Sequence, residues 1–264
     1  TSPDGPTEHG TMLHLGSLKA KPERSSRRAG AAAGIACPRR FAALAAAARD
    51  PRLQAFYAQG VPAGDCLLKD VPMAALDIET TGLDPARDEI VSIGVMPMTV
   101  THIQASASRY WVVRPDGELK PESVAIHAIT HAQIEAAPDL DALLGEVLEA
   151  LAGRIVVVHC RSIERGFLDA ALRARIGEGI EFPVIDTMEL EARLYRRPPG
   201  FFAWLLGRRM RTESIRLADS RSRYKLPRYR AHHALTDALA TAELLQAQVA
   251  YRFSVESRLR ELWL

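Results

Sequence analysis

A change of hydrophobic period near the middle of the chain constrains its fold more than any other feature. Residues 71–78, 90–96 and 109–113 are three short apolar runs joined by short loops, with the turn Gly82-Leu83-Asp84-Pro85 after the first. Runs of that length bounded by turn residues read as strands, and three in succession suggest an antiparallel meander. Then the spacing changes. Leu140, Leu143, Leu144, Val147, Leu148 and Leu151 fall three and four apart, as on one helix face, with Gly153 as a stop signal. A β-branched run at 154–159, a helix at 163–176, a brief strand at 184–186 and a helix at 188–195 follow. Leu235, Leu239, Ala242, Leu245 and Val249 mark a closing helix. Three strands followed by alternating helix and strand predict an α/β sandwich with a mixed sheet.

Residues 1–36 mix Ser, Pro, Gly, Lys and Arg with few large apolar groups, too few to offset their ordering entropy, so a disordered basic segment is expected there. Residues 37–70 are expected to form a helical extension, in which Pro51 splits an Ala-rich stretch into two short helices. The three cysteines, Cys37, Cys66 and Cys160, show no paired spacing. That favours a reducing compartment, the cytoplasm, and argues against a zinc site. No segment reaches ~18 uninterrupted apolar residues, so no membrane span is expected. The net charge of +2 says little about partners, but its distribution says more. Arg208, Arg209, Arg211, Arg216, Arg221, Arg223, Lys225, Arg228 and Arg230 face only Glu213 and Asp219 across residues 208–230. A run of one sign favours contact with a nucleic-acid backbone; plain solvation is the alternative, although a solvated face usually mixes signs.

Asp77 and Glu79 close the first apolar run. Side chains two apart point to the same face of a strand. Two carboxylates there repel each other unless a cation neutralises them. Acidic residues are also poor strand formers and are seldom buried alone. Spacing alone leaves two readings open, a metal site and a strand end reaching solvent.

The residues that follow add a resemblance. Asp77-Ile78-Glu79-Thr80-Thr81-Gly82-Leu83 closely resembles the first motif, D-x-E-T-T-G-L, of the DEDDh (DnaQ-like) 3′→5′ exonucleases. The second motif, usually H-N-x-x-F-D-x-x-F-L, is matched by His159-Cys160-Arg161-Ser162-Ile163-Glu164-Arg165-Gly166-Phe167-Leu168. Here Glu164 stands at the metal-binding aspartate position and Cys160 at the usual Asn. Asp169 lies five residues on, which on a helix is about 140° away from Glu164, so one helix cannot aim both at the same ions. The third motif, H-x4-D, is matched by His232 and Asp237, with His233 in a spacer position. Ile126-His127-Ala128-Ile129-Thr130 resembles the family's V-H-G-I-T segment.

The resemblance covers roughly residues 72–251, placing an exonuclease domain at 71–251 and a tail at 252–264. It implies a ribonuclease-H-like three-layer fold with a mixed central sheet flanked by helices. It also implies two Mg²⁺ or Mn²⁺ ions, held by Asp77, Glu79, Glu164 and Asp237, with His232 taking a proton from the attacking water. Thr80, Thr81, Gly82, Leu83 and His127 would approach the terminal nucleotide. The implied partner is nucleic acid with a free 3′ end, single-stranded DNA first. RNA, or binding without hydrolysis at an impaired site, are the alternatives. The tail carries no convincing clamp-binding peptide, which favours a free-standing repair or end-trimming enzyme over a proofreading subunit. Its Phe253, Leu259, Leu262 and Trp263 offer a surface for a protein partner.

Overall fold

The computed structural model describes residues 38–117, 129–195, 213–230 and 232–263. The expectations for residues 1–36, for His127 and for Arg208, Arg209 and Arg211 lie outside the described residues.

Strands β1 (Met73–Thr80), β2 (Ile90–Met98), β3 (Arg109–Val112), β4 (Ile155–Val158) and β5 (Val184–Asp186) form one sheet in the order β3-β2-β1-β4-β5. The meander is antiparallel, whereas β4 and β5 run parallel to β1. The mixed sheet predicted from the period change is therefore present. Strand β1 sits at its centre, which explains the unbroken apolar run: both faces are covered.

Helices cover the two faces. On one side, α1 (Pro38–Ala47), α2 (Pro51–Ala58), α4 (Leu140–Leu151) and α5 (Arg161–Ile176) bury Phe41, Leu53, Leu144, Val147 and Phe167 against Leu76, Ile78, Ile93 and Val156. The short α3 (His131–Glu135) precedes α4. On the other side, α6 (Thr187–Tyr195) and α8 (Ala234–Arg252) bury Leu190, Ala238, Ala242 and Leu245 against Met73, Ala75, Met96 and Val157. A further short helix, α7 (Leu217–Arg223), leads toward α8. Strand parity therefore fixes the direction of the acidic pair. Asp77 and Glu79 share parity with Met73 and Ala75, so both face α8.

Pro51 does separate two helices. It occupies the first turn of α2, where a missing N–H costs nothing, and Asp50 caps that helix by accepting the N–H of Arg52. These helices are built into the core through the Phe41, Phe56 and Tyr57 rings, and the Tyr57 hydroxyl accepts the N–H of Glu181.

The tail corrects an expectation. Leu259 and Leu262 are fully buried, and Phe253 and Trp263 pack against the same cluster as α8. Backbone bonds stitch the tail to residues 64–69, among them Leu68 N–H to Ser257 O and Leu259 N–H to Cys66 O. Leu259 and Leu262 therefore close the protein's own core, with Phe253 and Trp263 half-buried against it, so the tail's apolar residues serve the fold first. Accordingly, Leu262→Ala should cost about 2–5 kcal/mol of stability. Denaturant unfolding checks this, and a wild-type midpoint would show that the tail is not part of the core.

Candidate active site

The sheet's central strand and one helix end build the site. Asp77 and Glu79 stand at the C-terminal end of β1, and Asp237 sits in the first turn of α8. An oxygen from each of the three carboxylates lies within 4.8 Å of the others. One glycine permits this approach. Gly94 of β2 pairs with Asp77 of β1, and a Cβ there would collide with the backbone of Ala234 and Leu235. Without a side chain at 94, the start of α8 lies directly on the sheet.

Burial and mutual repulsion govern the charges. Desolvation raises the Asp77 carboxyl well above its ordinary value, and Glu79, Glu164 and Asp237 push it further the same way. Asp237 is raised chiefly by burial, against a lowering hydrogen bond from the His232 N–H. Glu164 lies in the first turn of α5, 3% exposed, outside the close trio. Burial raises its carboxyl well above the usual range, and its Oε2 is buried with no hydrogen-bond partner. Asp169 faces elsewhere, accepting bonds from Arg173 and from the N–H of Ile180. Clustered, buried carboxylates that repel one another, with an orphaned buried oxygen beside them, are a donor set that suits hard divalent cations.

The second and third motifs contain three histidines with different surroundings. His159 is buried, with Nδ1 2.7 Å from Thr187 Oγ1 and Nε2 3.0 Å from the Ile215 carbonyl. Burial lowers its pKa to about 4, so the ring is neutral near pH 7. A carbonyl only accepts, so Nε2 carries the proton and the residue ties β4 to the 215 loop. His232 is exposed, and its φ of 69° is left-handed, at a cost of about 1–3 kcal/mol for a residue with a side chain. Its N–H donates to Asp237 Oδ2 at 2.9 Å. His233 occupies the N-cap position of α8 and stacks on Tyr110, with ring centroids 4.7 Å apart and planes 18° from parallel.

The loop after β1 is tied back by hydrogen bonds. The Thr81 N–H bonds Glu89 O, the Glu89 N–H returns to Thr81 Oγ1, and Thr80 Oγ1 donates to Gly82 O. A Cβ on Gly82 would meet the Asp88 carboxylate. Leu83 projects from this loop, 52% exposed.

Two residues near the site were not foreseen. Asp186, at the end of β5, accepts the N–H groups of Arg161, Met188 and Glu189, so one buried carboxylate caps both α5 and α6. Its signal was present as an Asp-Thr pair at a strand-to-helix junction. Tyr110 left no local signal, because its place depends on strand register.

The basic run needs correction. Arg221 is 4% exposed and bonds Glu243, Ala240 O and Pro227 O while lying over the Tyr229 ring. Arg223 bonds the fully buried Glu191 and Ser214 O. Both charges are spent inside the fold. Arg216, Lys225, Arg228 and Arg230 are exposed, with no carboxylate partner among the described residues.

Comparison with known proteins places the chain among nucleases. Residues 74–245 match the model of the RNase_T exonuclease family. A PolC-type DNA polymerase III of Thermotoga maritima is 29% identical over 180 residues, which are 68% of this chain and 12% of that protein. A DNA polymerase III subunit epsilon-like protein of Rhodobacter capsulatus is 28% identical over 68% of this chain and 25% of its own length. The chain thus spans a minor part of these relatives. Among solved structures, Exonuclease X in complex with 5′ overhanging duplex DNA superposes with a TM-score of 0.53 at 23% identity, covering 72% of this chain and 98% of that one. The nuclease domain of 3′hExo, a DEDDh family member bound to rAMP, gives 0.56 at 16%, covering 71% and 96%. These structural likenesses show the ribonuclease-H-like fold. Among the described residues no helix is long and apolar enough to cross a membrane.

The raised carboxyls give a pH test. A raised folded-state pKa contributes stability that is complete below the unfolded value, 3.8 for the aspartates, and lost as pH rises through the folded value. Without divalent cation, these groups therefore weaken the fold increasingly from about pH 4 upward. Mg²⁺ or Mn²⁺ should raise the melting temperature more at about pH 8 than at about pH 5, because the ion competes with those protons. An equal rise at both pH values in calorimetry would remove these carboxylates from a cation site.

Proposed function

Because the chain belongs to the RNase_T exonuclease family, we propose that it removes nucleotides from the 3′ ends of nucleic-acid strands, DNA in the first place. The observation that carries this reading is the meeting of Asp77, Glu79 and Asp237 at the end of the central strand. Asp77, Glu79 and Asp237 would hold divalent cations, with Glu164 supporting from α5. When bound, a pair of Mg²⁺ or Mn²⁺ ions supplies charge neutralisation at both the attacking and the leaving oxygen of an in-line displacement.

The chain's own groups do the rest. His232 accepts a proton from the attacking water, a general-base role that an imidazole exposed beside the carboxylates can fill. Its backbone N–H holds Asp237 Oδ2 while the side chain stays exposed to substrate. The hydrogen-bonded 80–83 loop would present Leu83 for packing against the terminal base, with Thr80, Thr81 and Gly82 beneath it. Lys225, Arg228 and Arg230 lie just upstream of His232 in the chain and would track the phosphates behind the terminal nucleotide. The DNA-polymerase names of the curated relatives support DNA over RNA.

Single-stranded DNA, duplex DNA and RNA, labelled at either end, test the reading with Mg²⁺ and Mn²⁺ in parallel. Mononucleotide release from the 3′ end of DNA is expected, abolished by Asp77→Asn in a protein of normal melting behaviour. Glu164→Gln should lower turnover at least ~10²-fold, Glu164→Asp should keep activity, and Asp169→Asn should be nearly silent. RNA cleavage alone would reassign the substrate, and binding without turnover would make the chain a binding module.

The exposed cations predict salt dependence. Neutralising Lys225, Arg228 and Arg230 together should flatten the plot of log K against log salt by about 0.7 for each phosphate that these side chains had neutralised. Arg221→Gln should instead lower the melting temperature, because the buried guanidinium that holds Ala240 O, Pro227 O and Glu243 is lost. An unchanged slope in the triple variant means that these side chains are only solvated.

A further inference from the structure

We propose that Tyr110 and His233 form a positioning pair whose stacked rings hold the start of α8, and with it His232 and Asp237, in the geometry that hydrolysis requires. The inference rests on the proposed roles of those two residues.

One cross-strand row links these groups. Asp77 of β1 pairs with Gly94 of β2, and Gly94 pairs with Tyr110 of β3. All three positions share the face that α8 covers. The row therefore reads carboxylate, gap, aromatic ring. The backbone of Ala234 and Leu235 fills the gap, and the ring beside it takes the stack of His233. His233 makes no side-chain bond to a backbone N–H of its helix, and its Nδ1 lies 3.4 Å from Thr236 Oγ1, a long contact beside which the full-face stack on Tyr110 is the larger restraint on the ring. From His233 two links run to the reacting groups. Its carbonyl accepts the Asp237 N–H at 2.9 Å, and its N-terminal neighbour is His232, whose N–H donates to Asp237 Oδ2.

His232 itself needs outside support. Its left-handed backbone is unfavourable for a residue with a Cβ and persists only where the surroundings over-determine it. Upstream, the chain is fixed by Arg221 lying over Tyr229, whose hydroxyl bonds Glu243 of α8. Downstream, the fixing element is the Tyr110–His233 stack. Removing the ring frees that side of the turn while leaving the carboxylates and His232 chemically intact. His233 thus acts by its shape, and Tyr110 acts through His233.

The test compares Tyr110→Leu, which keeps apolar bulk without a ring, with Tyr110→Phe, and His233→Ala with His233→Phe. Turnover on 3′-ended DNA is measured with saturating Mn²⁺, and amide hydrogen exchange at residues 232–234 is measured in the cation-free protein. Tyr110→Leu and His233→Ala should lower kcat about tenfold to hundredfold. KM should stay within about threefold, because substrate affinity is not what changes. Exchange in those two variants should speed up about fivefold to tenfold. Both Phe variants should stay near wild type in each measurement, because a ring is retained. Full turnover in Tyr110→Leu overturns the proposal, as does a dead His233→Phe, which would give the imidazole itself the chemical role. If wild-type protein cleaves no nucleic acid, the proposed function falls, and the exchange rates alone still decide this one: unchanged exchange in Tyr110→Leu refutes the pair.

Discussion

Like charges held close together set the terms for much of this molecule. Three carboxylates share a space of 4.8 Å, with a fourth buried beside them, and each raises the proton affinity of at least one other or is raised by it. Such an arrangement opposes folding unless the scaffold is stiff enough to impose it. The scaffold here is stiff in three ways. The central strand is paired on both sides, Gly94 lets a 19-residue helix lie on the sheet, and the loop after β1 is tied back to residue 89.

Asp186 shows how the second side of the site is placed. Its buried carboxylate meets the N-termini of α5 and α6 together, where backbone N–H groups and helix dipoles favour negative charge. Glu164 lies one turn into α5, so the cap that starts the helix also sets the height of that side chain. The longer arm of glutamate, relative to the aspartate usual in the motif, therefore acts from a fixed base. The same cap raises the Glu164 carboxyl through its negative charge, so anchoring and electrostatics cannot be separated by one substitution.

Much of the fold was legible from periodicity, because strands and amphipathic helices write their period into adjacent residues. The change from strand runs to helical spacing predicted the mixed sheet, and Pro51 predicted the break between α1 and α2. Strand parity placed Asp77 and Glu79 on one face, and the motif spacing pointed to Asp237. What stayed hidden depends on long-range pairing. Tyr110 enters the site region only through register with Gly94 and Asp77. Arg221 and Arg223 looked like surface charge because their partners, Glu243 and Glu191, lie 22 and 32 residues away in sequence. The tail's apolar residues read as a surface open to a partner because the core that they join is formed by residues far earlier in the chain.

That closure of the tail on residues 64–69 bears on how the protein can be divided. The span shared with the exonuclease family, residues 74–245, omits both partners of the closure. A fragment cut to that span would lose Leu68, Val71, Leu259 and Leu262 from beneath α8, and Phe41, Leu53 and Phe56 from the opposite face. Both faces of the sheet would then present contiguous apolar surface to water, and such surfaces associate. Solubility, rather than chemistry, sets the smallest piece of this chain that can be handled alone.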